Sequence, residues 1–133
     1  MSAARSLSLF FAAGAIGGLV NSLAVWLFGE LGISQALGVS ISPSLSPSWL
    51  YPRIVWGGLW GFLFTLPFSM GWFSRGLVLS LGPSLVQLFV VFPMKANKGV
   101  LGLELGILTP VLVLFFNAVW GVVASWWIRG TRA

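Results

Sequence analysis

The sequence predicts an all-α integral membrane protein: a four-helix bundle with a structured Ser/Pro-rich extramembrane loop between the first and second spans. Three observations carry this. Only 7% of the 133 residues are charged and 58% are hydrophobic, whereas soluble domains carry about 25% charged residues, so this chain could not clothe a water-facing surface. The few charges bracket uncharged runs close to the roughly 20 residues a helix needs to cross a bilayer. Glycine, at 17 residues, is nearly twice the usual share of about 7%, as expected where helices pack closely in lipid. The length suits one domain, residues 1–133.

The first run lies between Arg5 and Glu30, with its core over 7–28. It exceeds the roughly 7–15 residues of a signal-peptide core, so a retained span is expected. Next comes LGISQALGVSISPSLSPSWLYPR, residues 31–53. Pro43, Pro47 and Pro52 disfavour continuous helix there, and the Ser-Pro steps favour turns. Yet Ile33, Leu37, Val39, Ile41, Leu45, Trp49 and Leu50 are too apolar for a free linker. The expectation is a structured cap at the interface, opening with a short amphipathic helix over Ile33–Val39, with Trp49 and Tyr51 at headgroup level.

The second span follows Arg53, over 54–72, and the third follows Arg75, over 76–92, stopping at Pro93. The short turn MGWFSRG joins them as a tight antiparallel hairpin. Both are short and contain proline (Pro67, Pro83), so the alternative is that one of them is re-entrant or broken. The fourth span follows Glu104, over 105–128, and ends at Arg129.

Loop charges set the expected orientation. With the N-terminus inside, that side carries Arg5, Arg75, Arg129 and Arg132, and the other carries Arg53, Lys95 and Lys98 with Glu30 and Glu104. The four-to-three bias in basic residues leans to both termini inside, in a prokaryotic inner (plasma) membrane. The net charge of +5 reads as flanking charge that meets lipid headgroups. No nucleic-acid partner is expected, because no basic cluster is interleaved with aromatics on a polar surface.

Within the spans, polar and small residues fall on single faces. Gly14, Gly17, Gly18 and Asn21 sit at i, i+3, i+4 and i+7 of one helix. Gly14-xxx-Gly18 and Gly57-xxx-Gly61 are small-xxx-small patterns that let helix backbones approach, and Thr65 follows the second by one turn. Asn117, Gly121 and Ser125 share a face of the fourth span; Ser80, Ser84 and Gln87 share one of the third. Pro83 and Pro110 would leave the carbonyls of Leu79 and Gly106 without helical donors. An amide in lipid requires a partner, and Asn21 and Asn117 are candidates to bond each other. Gly14, Gly17, Gly18, Gly57, Gly61 and Gly121 are therefore the expected packing positions. Asn21, Thr65, Gln87 and Asn117, with Trp56 and Trp60, are the expected pore- or ligand-lining positions.

The chain has no Cys and no His, which removes thiolate nucleophiles, disulfides and imidazole proton transfer. No span contains an ionisable group, and membrane enzymes and proton-coupled carriers ordinarily keep one there. Glu30 and Glu104 end up on one side, but Glu104 at a helix start suits the macrodipole, and two carboxylates alone make a poor metal site. No enzyme activity, cofactor or metal is expected. The expected function is the binding or passage of a small solute or ion by a homo-oligomer, since one four-span protomer is thin. The alternative is a non-catalytic subunit or assembly factor that docks a partner membrane protein through its glycine faces.

Overall fold

The computed structural model describes residues 2–131; Arg132, counted above in the charge bias, lies outside them. Helix accounts for 79% of the structure and no strand occurs among the described residues, as an all-α chain requires. Three helices, Ala3–Glu30, Trp72–Lys95 and Thr109–Thr131, are long and apolar enough to cross a membrane.

Helix α1 (Ala3–Glu30) starts at Ser2, whose hydroxyl accepts the backbone N–H of Arg5 at 3.2 Å, a standard N-cap. It holds no proline and ends where Gly32 adopts φ 77°, the left-handed conformation that glycine tolerates. The short amphipathic helix after it is real but shorter than expected, α2 (Ile33–Ala36). The chain then runs without regular structure to residue 46. This segment is packed down: Ser40 N–H donates to the Leu105 carbonyl at 2.8 Å, and Val39 is buried with Val25, Leu112 and Phe116.

The loop is shorter than its prolines suggest. Helix α3 (Pro47–Trp60) begins six residues before Arg53 and winds on as a 3₁₀ turn over Gly61–Thr65. The expected span at 54–72 is thereby displaced towards the N-terminus, and residues 66–71 are not helical. Ser46 caps α3 by accepting the Trp49 N–H at 3.3 Å. Pro47 occupies the first turn, where its missing N–H has no helical partner to lose. Pro52 deprives only the exposed Ser48 of its i+4 donor.

The third helical stretch is compound: α4 (Trp72–Leu79), α5 (Leu81–Val86) and a π-helical run over Gln87–Lys95. Its break at Ser80 lies beside the Leu79 carbonyl that Pro83 cannot serve. Hydroxyls bridge the joint, Ser84 Oγ to the Ser80 carbonyl at 2.8 Å and Ser80 Oγ to that of Leu77 at 2.7 Å. Pro93 does not stop this helix at 92. In the π pattern, the Ala96 N–H reaches back five residues to Val91. Arg75 is not in the hairpin turn but inside α4. Its guanidinium donates to the carbonyls of Phe64 and, at 3.3 Å, Leu66, the open end of the preceding 3₁₀ turn.

A 3₁₀ turn over Val100–Leu105 precedes α6 (Thr109–Thr131). Gly106, at φ 149°, lies so close to the Gly38 carbonyl that a Cβ would overlap it. The fourth helix therefore starts at Thr109 and not at 105, and Pro110 opens it without breaking it. The Gly106 carbonyl accepts the Thr109 N–H at 3.1 Å. Glu104 sits exposed in the 3₁₀ turn and not at the start of the long helix.

Glycine decides which helices touch. Gly14 and Gly18 of α1 meet Gly57 and the Arg53 backbone of α3 and Gly61 of the 3₁₀ turn after it, while Gly17 meets Trp120 of α6 and Gly76 of α4 meets Gly121 of α6. The face read as continuous in α1 thus divides between two partners. The resulting order is α3 against α1, α1 against α6, and α6 against α4.

Thr109 is fully buried and its hydroxyl has no hydrogen-bond partner. Such a group costs about 1–3 kcal/mol. Thr109→Val keeps the shape and should raise the thermal unfolding temperature in detergent by a few degrees; a fall would mean that the hydroxyl is satisfied.

Candidate functional site

The order of packing leaves a gap between α3 and the Trp72–Lys95 helix. A cleft of about 340 Å³ occupies it. The α3 wall is Pro52, Arg53, Trp56 and Trp60, which follow at helical spacing. Facing it are Pro83, Gln87 and Val91, each four residues from the next. Asn21 of α1 with Asn117 and Trp120 of α6 close the back. At one end the walls meet, where Gly82 abuts the side chains of Leu63 and Trp60. The other end reaches Arg53 and Val91.

Each polar residue at the back makes a specific hydrogen bond. The Asn21 amide donates to the Phe116 carbonyl at 2.6 Å and its Oδ1 accepts from Arg53 Nη2 at 2.9 Å. Arg53 Nε donates to Ser22 Oγ, also at 2.9 Å, and the guanidinium lies over the Trp49 ring at 4.8 Å. Trp120 donates its indole N–H to the carbonyls of both Gly14 and Gly57, at 3.1 and 3.2 Å. Glycine is needed at those two positions for the backbones to come near enough to share one donor. Asn117 donates to Ser84 Oγ at 3.1 Å, so the two asparagines do not bond each other.

Other lining residues carry polar groups without a protein partner among the described residues: the Gln87 side-chain amide, the Asn117 carbonyl, and the indole N–H groups of Trp56 and Trp60. Those two rings pack edge to face at 5.8 Å, and Trp56 is 50% exposed.

Five of the six expected lining residues, Asn21, Gln87, Asn117, Trp56 and Trp60, therefore surround one cleft. Thr65 does not join them. It is exposed, bonds the Phe62 carbonyl at 2.8 Å, and lines a separate hollow with Phe10 and Arg75 near the start of α1. Arg53 is the charged residue of the cleft that sequence reasoning did not place in the site. Arg53 reads as a boundary charge when the second span is taken to begin after it. Its spacing from Gly57 and Gly61, four and eight residues, was the available signal that it shares their inward face.

Glu30 and Glu104 are both exposed and neither lines the cleft. No cluster of three or more metal-ligating side chains occurs among the described residues. Comparison with known protein families, with curated proteins and with solved structures finds no match to this chain.

Proposed function

We propose that α1, α3, the Trp72–Lys95 helix and α6 cross a membrane as a four-helix bundle, and that the cleft between α3 and the third helix binds a small solute. Both termini lie on the inner side of a prokaryotic inner membrane, the orientation to which the four-to-three bias in basic residues leans, and the loop after α1 lies opposite. The observation that carries this reading is the gathering of amides and indoles without partners, from three separate helices, around one cavity. Unpaired amides and indoles on residues that line one cavity offer polar contacts to a ligand.

Binding is favoured over conduction because the cleft narrows at Trp60, Leu63 and Gly82. The homo-oligomer expected of a thin protomer belongs to a conducting path, whereas a binding cleft is complete within one chain. The reading as a docking subunit loses its surfaces, since Gly14, Gly17, Gly18, Gly57, Gly61 and Gly121 are all engaged within the chain.

Native mass spectrometry of the full chain, released gently from its host membrane, tests this. The expected spectrum carries a small-molecule adduct on the protein mass, and Trp60→Ala loses it. A stoichiometric second protein with no small-molecule adduct would overturn the proposal in favour of a subunit role.

A further inference from the structure

Arg53 brings a full positive charge to the cleft, and both of its hydrogen-bond partners, Ser22 Oγ and Asn21 Oδ1, are neutral. A guanidinium has five N–H donors in a planar fork. Two are used here, and the Trp49 ring 4.8 Å from Arg53 Cζ fixes the plane, so the remaining donors are oriented before any ligand arrives. A charge surrounded by aromatic rings and neutral acceptors gains most from an anion, because oxyanion pairing with a guanidinium is strong and directional.

The rims of the cleft indicate where that anion comes from. Val55 and Leu59 on α3, and Val90 on the third helix, are exposed and adjoin the lining positions in the helical sequence, so the mouth opens between apolar side chains. Asn21, which holds Arg53, lies nine residues before the end of α1 at Glu30, about 13 Å along the axis. With α1, about 42 Å long, centred on a hydrocarbon core of about 30 Å, Asn21 lies about 7 Å inside the hydrocarbon edge, and the guanidinium it holds is within the apolar layer. A lateral mouth, apolar rims and a cation at that depth fit a molecule that is itself dissolved in the membrane.

We propose that the cleft takes a membrane-borne amphiphile with an oxyanion head, a carboxylate or a phosphate. The head pairs with Arg53, and the tail lies along Trp56 and Trp60 and leaves by the lateral mouth. Gln87, across the cleft, adds neutral donors beside the head. This rests on the solute-binding reading above and specifies its ligand.

The full chain in nanodiscs of zwitterionic lipid is titrated with decanoate, decyl phosphate, decanol and inorganic phosphate, followed by calorimetry and tryptophan fluorescence. Decanoate and decyl phosphate should bind saturably, and decanol about tenfold or more weakly, as the loss of a charge-assisted pair implies. Arg53→Gln should bring the affinities for decanoate and decanol together. Gln87→Glu should do the same from the opposite wall; it breaks no bond within the protein and sets a competing carboxylate in the cleft. Thermal unfolding of each variant reports whether it is folded.

Equal binding of decanoate and decanol to the parent chain would overturn the anion assignment and leave the cleft a neutral-solute site. Inorganic phosphate binding as tightly as decyl phosphate would overturn the membrane origin of the ligand. Failure of every probe to bind would overturn both this inference and the reading on which it rests.

Discussion

Replacing Gly14 with alanine should lower the thermal unfolding temperature by about 10 °C. A Cβ at Gly14 would overlap the Gly57 carbonyl oxygen and stand 2.8 Å from the Gly61 Cα. Both obstacles are backbone and neither can rotate away, so α3 must retreat as a unit. That retreat also separates Gly18 from Arg53 and Gly57, and it pulls apart the two carbonyls that share the Trp120 indole N–H. Overpacking costs typically about 1–3 kcal/mol, and we expect the top of that range because backbone bears the clash. The intrinsic helix preference of alanine over glycine returns only about 0.8–1.0 kcal/mol. Gly130→Ala in α6, with nothing within 4 Å of the new methyl, is the matched control and should be neutral or slightly stabilising. Equal melting temperatures for the two variants would show that the α1–α3 contact does not limit stability.

The second large effect is expected at Asn21. Asn21→Leu preserves volume but removes the acceptor of Arg53 Nη2 and the donor to the Phe116 carbonyl. Hydrogen bonds to charged groups contribute about 1.5–3 kcal/mol, and leaving one partner behind costs more than removing both. The single variant should therefore lose about 3 kcal/mol. Combining it with Arg53→Met should recover much of that loss, although Arg53→Met alone is also destabilising. This non-additivity is the signature of a coupled pair. Additive losses in the double-mutant cycle would mean that Arg53 finds another acceptor when Asn21 is gone.

Much of the architecture is legible along the chain because it depends on local pattern. Runs without charge set the long apolar helices, and the Gly14/Gly18 and Gly57/Gly61 spacings mark faces on which only small residues let two backbones meet. Helix ends were harder to read. Pro47, Pro52, Pro83, Pro93 and Pro110 all suggest interruptions, yet Pro52, Pro83 and Pro93 lie within helical stretches and Pro47 and Pro110 open helices. The cost of a proline depends on where it falls in the first turn and on what replaces the lost bond. Ser46 supplies a cap, Ser80 and Ser84 supply hydroxyls, and the π-helical winding after Gln87 re-pairs carbonyls five residues apart. None of these substitutes has a strong signature in sequence.

The site divides in the same way. Sequence alone determines that Asn21, Gln87 and Asn117 are costly in an apolar helix and must be answered by something, because an amide's desolvation is a property of the residue. Which group answers is decided by tertiary structure. Asn21 is met by Arg53 and Phe116, Asn117 by Ser84, and Gln87 by nothing among the described residues, because the glycine contacts set α3 against α1 and α4 against α6 and hold the two outer helices apart. Arg53 shows the distinction most clearly. In the sequence it is a charge at the edge of an apolar run; in the fold, α3 starts six residues earlier and carries it inward onto the face of Gly57. A side chain's direction follows from where its helix begins, and here a serine cap and a first-turn proline set that beginning.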